Sequence, residues 1–280
     1  MGRTRTLERR KEREQQRKRQ RQTAVLVGIV VVAVVLVGLI LVINQPAEAP
    51  IPDYTTARYE GIAQSKNAQG FPVLGSDAAP VKVEEYSSFD CTACALFHSS
   101  TFPAILERVR QGQVQFTFIS VYGTGSITNG QGAARAAVCA GEQGKFWQMH
   151  DALFDWQSAY GNQAFAQNRL ASGASNLGID RGAWDQCMAS ALPNTVIDAA
   201  RQSFQLQNVT GTPSIFVNGS LVQQATAEAV LAAIDQAFAQ SGGVAAPTTE
   251  ATPEATAAPA AEATTEAAAP AEATPEATPG

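Results

Sequence analysis

From Ala24 to Ile43 the chain runs for 20 residues without one charged or hydrogen-bonding side chain. As a helix rising about 1.5 Å per residue it is about 30 Å long, the thickness of a bilayer's hydrocarbon core. A helix apolar on every side offers no face to water, so this stretch divides the chain into one part on each side of a membrane. A cleaved export signal is the competing reading, and Ala47-Glu48-Ala49 imitates a small-x-small cleavage site. The apolar region of such a signal spans only about 7–15 residues, however, and Pro50 follows the imitation directly. Residues 24–43 therefore read as an uncleaved, single-pass transmembrane helix.

Charge sets the direction of crossing. Residues 1–23 hold ten Lys/Arg and three Glu, and the first basic residue after the span is Arg58. A basic flank on one side keeps that side cytoplasmic, so the reading is a cell-membrane protein with its N-terminus inside and everything later outside. The basic segment 1–23 contains no aromatic residue to stack on bases. Contact with anionic membrane lipid fits it better than nucleic acid. The net charge of −5 hides this division, because beyond residue 23 ten basic and 22 acidic side chains remain. An acidic exterior part excludes polyanions as partners.

Residues 44–70 read as a linker, 71–240 as one domain large enough for a sizeable core, and 241–280 as a disordered tail. The tail holds eight Thr, six Pro and six Glu among many Ala, with no aromatic residue, and cannot build a core. Within the domain, period-two and period-3.6 patterns give strand 80–86, a helix over 92–110 bent at Pro103, and strand 113–121. A long helical stretch (131–207) follows, then a strand pair (214–217, 220–222) and a last helix (227–239) carrying Val230, Ile234 and Phe238 on one stripe.

Chemistry concentrates where the first strand hands over to the first helix, in SSFDCTACALFH (87–98). Cys91 and Cys94 sit two residues apart there. A cysteine opening a helix faces unpaired backbone N–H groups and the positive end of the helix dipole, which favour its thiolate. A second cysteine one turn further in can attack a mixed disulfide from within the same site. A CxxC alone can equally be half of a zinc site, and His98, four residues beyond Cys94, offers a third ligand. About 120 residues downstream, TGTPSIFVNG (210–219) puts Pro213 before a short apolar strand closed by an Asn218-Gly219 hairpin turn.

Together the two motifs resemble the thioredoxin superfamily, in which a cis-proline loop faces the CxxC. The segments GAARAAVCAGEQGKFWQMHDALF (132–154) and AWDQCMAS (183–190) narrow the resemblance to the DsbA-like branch, membrane-anchored or secreted bacterial thiol:disulfide oxidoreductases. The resemblance implies an α/β thioredoxin fold with a helical insertion. It further implies Cys91 as the attacking cysteine, Cys94 as the resolving one, Pro213 as the cis-proline and Thr212 as the residue before it. Glu85, six residues before Cys91, matches a buried acid of that family, although 113–121 carries no lysine to partner it. The Thr92-Ala93 dipeptide departs from the proline- or histidine-containing pairs usual in this branch, which leaves the redox poise open.

Four cysteines allow three pairings. With Cys91 and Cys94 claimed by local geometry, Cys139 and Cys187 are left as a structural disulfide, which an exported location permits. The expected function is oxidation of cysteine thiols in exported proteins, with no bound cofactor. The resemblance implies a quinone-linked membrane thiol oxidase that re-oxidises the pair. The chain lacks the added dimerisation domain that isomerases of this superfamily carry, so isomerase work is not expected; a monomer is expected. Two alternatives remain: a metal-handling protein using Cys91, Cys94 and His98, and a non-catalytic cell-surface binding module on the same fold.

Overall fold

The structure, a computed structural model, describes residues 2–43 and 47–246, with side chains described over 17–40 and 47–246. Helix α1 (Gly2–Ile43) is continuous. Its segment Arg17–Ile40 has a mean hydropathy of 3.1 and is long and apolar enough to cross a membrane, with none of it buried against the rest of the chain. The 241–280 tail lies outside the described residues beyond Ala246, whose N–H bonds Gly112 O at 2.9 Å.

The domain follows in the order α2 (Tyr54–Arg58), β1 (Gln64–Lys66), β2 (Pro72–Leu74), β3 (Val81–Ser88), α3 (Thr92–Ser100), α4 (Phe102–Arg110) and β4 (Val114–Val121). Next come α5 (Gly130–Gly141), α6 (Phe146–Tyr160), a 3-10 turn, α7 (Gln167–Asn176), α8 (Arg181–Ala189) and α9 (Leu192–Leu206). The chain ends this frame with β5 (Ser214–Val217), β6 (Ser220–Leu221) and α10 (Ala227–Gln240). The strands form one sheet in the order β1-β2-β4-β3-β5-β6. Its centre is parallel β3–β4, with β5 antiparallel on the other side of β3. This is a thioredoxin fold with α5–α8 as the helical insertion.

The alternation of β3 explains both faces of the sheet. Val81, Val83, Phe116 and Phe118 turn into a large core with Phe97, Phe102, Trp147 and Phe154. Tyr86, Ile119 and Phe216 face the other way, against Ala200 and Phe204 of α9. Glu85 shares the parity of Val81 and Val83, which is why a carboxyl ends up 2% exposed.

Two expectations are corrected. The single bent helix over 92–110 is two helices, because Pro103 has no N–H and sits in the first turn of α4, where none is needed. The second correction concerns the linker. From Ala47 onward the stretch is folded onto the domain: Ala49, Tyr59 and Ile62 belong to the core, and β1 pairs with β2.

The anchor for that stretch is a buried acid that the sequence did not signal. Asp151 of α6 accepts hydrogen bonds from Tyr59 Oη (2.6 Å), His98 Nε2 (2.8 Å), His150 Nδ1 (3.1 Å) and Arg58 Nη1 (3.2 Å). Burial alone would push its carboxyl up, but the bonds from the two imidazoles outweigh that and hold it well below the usual carboxylate range. Burial dominates at His150, lowering it to about 4.

Candidate active site

Cys91 occupies the N-cap of α3 with extended backbone (φ −95°, ψ 118°), and Cys94 lies one turn inside the helix. Both are free thiols here. Cys91 is 6% exposed and Cys94 fully buried, so only Cys91 offers its sulfur toward solvent. Their environments push them apart. The Cys94 thiol donates to Cys91 and, with the Ala93 and Cys94 N–H groups, lowers Cys91 to about 6 against the opposing effect of burial. Cys94 is pushed up, first by burial and then by the neighbouring Cys91 thiolate.

The opposite wall is the 210–213 loop. The Thr212–Pro213 peptide bond is cis, and Thr212 O lies 3.3 Å from Cys91 Sγ. Asn218 and Gly219, both at positive φ (48° and 77°), then turn the chain from β5 into β6. The pairing of β5 with β3, with Tyr86 opposite Ser214, brings this loop to the CxxC from about 120 residues away.

Behind the cysteines stands Glu85, whose strand neighbours are Phe118 and Ile215 rather than a cation. Burial raises its carboxyl to about 8, the Ser87 hydroxyl opposes the rise, and the Cys91 charge adds to it. Ser87 also acts on Cys94, holding that thiol lower than it would otherwise be. Ser87 is buried with no hydrogen-bond partner for its hydroxyl, so its influence on Glu85 and Cys94 is that of a nearby dipole.

Two contributors escaped sequence reasoning. Asp90 is buried beside Cys91 and accepts from Ser88 Oγ (2.7 Å), Gly123 N (2.7 Å) and Gly125 N (2.8 Å). It thereby pins the 122–129 loop against the active-site turn. That approach requires glycine: a Cβ on Gly125 would lie 1.9 Å from Asp90 O. The same loop reaches the cis-proline side through Thr124 Oγ1, 2.6 Å from Thr212 Oγ1. Gln157 of α6 is the other, its amide donating to the carbonyls of Phe89 and Cys91 (3.1 Å to the latter). The signal for the loop was present in the glycine spacing of YGTGSITNGQG (122–132); nothing distinguished Gln157 from other helical polar residues.

Cys139 of α5 and Cys187 of α8 are joined by a disulfide, Cα to Cα 5.7 Å. The metal alternative fails on geometry. His98 turns its Nε2 to Asp151, and among the described residues the group close enough to share an ion is His98, His150 and Asp151, within 4.8 Å. Both oxygens of Asp151 are already taken, one by the Arg58 guanidinium, which supplies the positive charge an ion would bring.

Comparison with known proteins agrees with this geometry. The Thioredoxin family model matches residues 67–236. Disulfide bond formation protein D of Bacillus subtilis is 27% identical over 171 residues, 59% of this chain and 75% of the relative. Two solved structures share the fold: oxidised BdbD of Bacillus subtilis (24% identity, 64% of this chain and 99% of that chain, TM-score 0.56) and α-DsbA1 of Wolbachia pipientis (19% identity, 64% and 96%, TM-score 0.55). With an accessible, charge-stabilised sulfur, a buried partner one turn on and a cis-proline loop across from both, the chain belongs to the thioredoxin family and is a DsbA-like thiol:disulfide oxidoreductase.

Proposed function

We propose that α1 anchors the chain in the cell membrane, N-terminus in the cytoplasm, and that the domain outside oxidises cysteine thiols of exported proteins. The observation that carries the direction is the stabilised Cys91 thiolate. Lowering Cys91 to about 6 favours the reduced form of the pair, so the disulfide form gives up its bond readily and acts as an oxidant.

In the oxidised protein a substrate thiolate attacks Cys91 Sγ, the sulfur with access. The Cys91–Cys94 bond breaks and its electron pair goes to Cys94, which takes a proton. Glu85, raised to about 8 by burial, holds a proton at neutral pH on the same face of β3 as Ser87. A second substrate thiolate then attacks the substrate sulfur of the mixed disulfide, and Cys91 leaves as the stabilised thiolate. Two substrate thiols have lost two electrons and two protons, and the CxxC has become a dithiol. Thr212 and Pro213 present the backbone edge along which an extended substrate segment lies beside Cys91. A quinone-linked thiol oxidase in the membrane would accept the two electrons and restore the disulfide. The domain works as a monomer and contacts lipid through its anchor.

Redox titration of the protein against glutathione should give a potential more oxidising than about −200 mV. A value near that of thioredoxin, about −270 mV, would make it a reductant and reverse the proposed direction.

Topology has its own test. In spheroplasts, added protease should degrade the domain and spare an N-terminal tag, because the basic residues lie on that side of the uncharged span. Protection of the domain would place it in the cytoplasm.

A further inference from the structure

The stretch between the apolar helix and the domain fixes how the domain can meet a bilayer, if α1 is the membrane anchor proposed above. Helix α1 ends at Ile43, and the chain is already held to the domain at Glu48. Three successive carbonyls are captured by side chains of α6 and α7. Arg169 donates to Glu48 O, Asn176 Nδ2 to Ala49 O (2.7 Å) and Trp156 Nε1 to Pro50 O (2.7 Å). Ala49 is 2% exposed. A few residues on, Arg58 and Tyr59 lock to buried Asp151, so releasing this strap would strip a buried carboxylate of two donors.

The consequence is one of reach. A free linker of 27 residues (44–70) could carry the domain up to about 95 Å from the end of the span. With the strap in place, the four steps from Ile43 to Ala47 span at most about 14 Å. We propose that the face built from Glu48–Pro50 and α7 lies against the lipid headgroups, holding the active site at a fixed height and orientation over the membrane. The side chains suit that neighbour. Around a cleft of about 880 Å³ between the strap and α7 stand Ser172, Ser175, Arg181 and the exposed Glu48, with Arg181 paired to Asp185 at 3.0 Å. The Ser172 and Ser175 hydroxyls and the Arg181 guanidinium are hydrogen-bond donors that match the phosphate and glycerol oxygens of a headgroup layer, with Glu48 the one carboxylate at the rim of the cleft. The same strap is coupled to catalysis through adjacent residues of α6: Trp156 holds Pro50, and Gln157 holds the Cys91 carbonyl. His98 of α3 meets the strap's Tyr59 at Asp151.

The test uses the full chain in vesicles of phosphatidylethanolamine and phosphatidylglycerol carrying a headgroup-attached energy acceptor. A fluorescent amino acid is incorporated at Gln167, exposed on α7, or at Gln236, exposed on α10, which packs instead against β3 and β5. Retained thiol-oxidising activity shows that both proteins are folded. Energy transfer from position 167 should exceed that from 236 several-fold. Inserting twenty Gly/Ser residues between Asn44 and Gln45 should bring the two signals together. Equal transfer from both positions in the unlengthened chain, with the protein co-floating with the vesicles, would overturn the proposal alone. Persistence of the difference after the insertion would overturn the strap as its cause. Failure to co-float would overturn the membrane anchor itself, and this proposal with it.

Discussion

Cys94→Ser protein, oxidised in the presence of a thiol substrate, should accumulate mixed disulfides through Cys91, while turnover falls by orders of magnitude. The reason is positional. Cys91 sits at the helix N-cap with its sulfur accessible, and Cys94 is the sulfur able to resolve a mixed disulfide from within the site. Cys91→Ser should trap few or none, because Cys94 is fully buried and pushed up toward its protonated form. In the reduced wild-type protein alkylation should begin at Cys91 with a midpoint near pH 6, set by the Cys94 thiol and the α3 N–H groups. The same shift has a stability counterpart with a definite sign. Because Cys91 is lowered from an ordinary value of 9.0 to about 6, the reduced domain's gain is fully present above 9 and is lost as pH falls through 6. Mass spectrometry of trapped adducts and a pH series of alkylation rates check both. Equal alkylation of the two thiols at neutral pH, or adducts through Cys94, would show a different kind of site.

Replacing Cys139 and Cys187 together by Ser should destabilise the domain by about 4 kcal/mol, from the chain entropy regained when a closed loop opens. The sequence separation of 48 residues sets the size of that loop. For a domain of this length the loss corresponds to roughly 8–16 °C in Tm. Oxidation rate per folded molecule should stay near wild type, since Cys139 and Cys187 are bonded to each other while Cys91 and Cys94 are free thiols. Calorimetry beside a peptide-oxidation assay separates the two readouts. Loss of activity with the fold intact would assign this pair to electron transfer instead.

The elements that sequence determined are those where a local pattern has one physical solution. An uncharged 20-residue run has no face to show to water. Alternation along Val81–Tyr86 fixes which side chains enter the core, and with them the burial of Glu85. CxxC at a strand-to-helix junction and Thr-Pro before a short strand marked the two segments that the fold brings into contact at Cys91 and Thr212. Tertiary structure decided what depends on distant surfaces meeting. Nothing local in 44–70 reveals that Asn176, Trp156 and Asp151, about 90 or more residues away, hold it down. Nor does FHSS predict that His98 turns to Asp151 instead of the cysteines. Asp90 and Gln157 are ordinary polar residues until the fold presents Gly123, Gly125 and the Cys91 carbonyl to them. The physical reason is common to all of these. Hydrophobic periodicity acts within a single element and is written along the chain, whereas a buried polar group is satisfied by whichever donor the packed topology brings within about 3 Å.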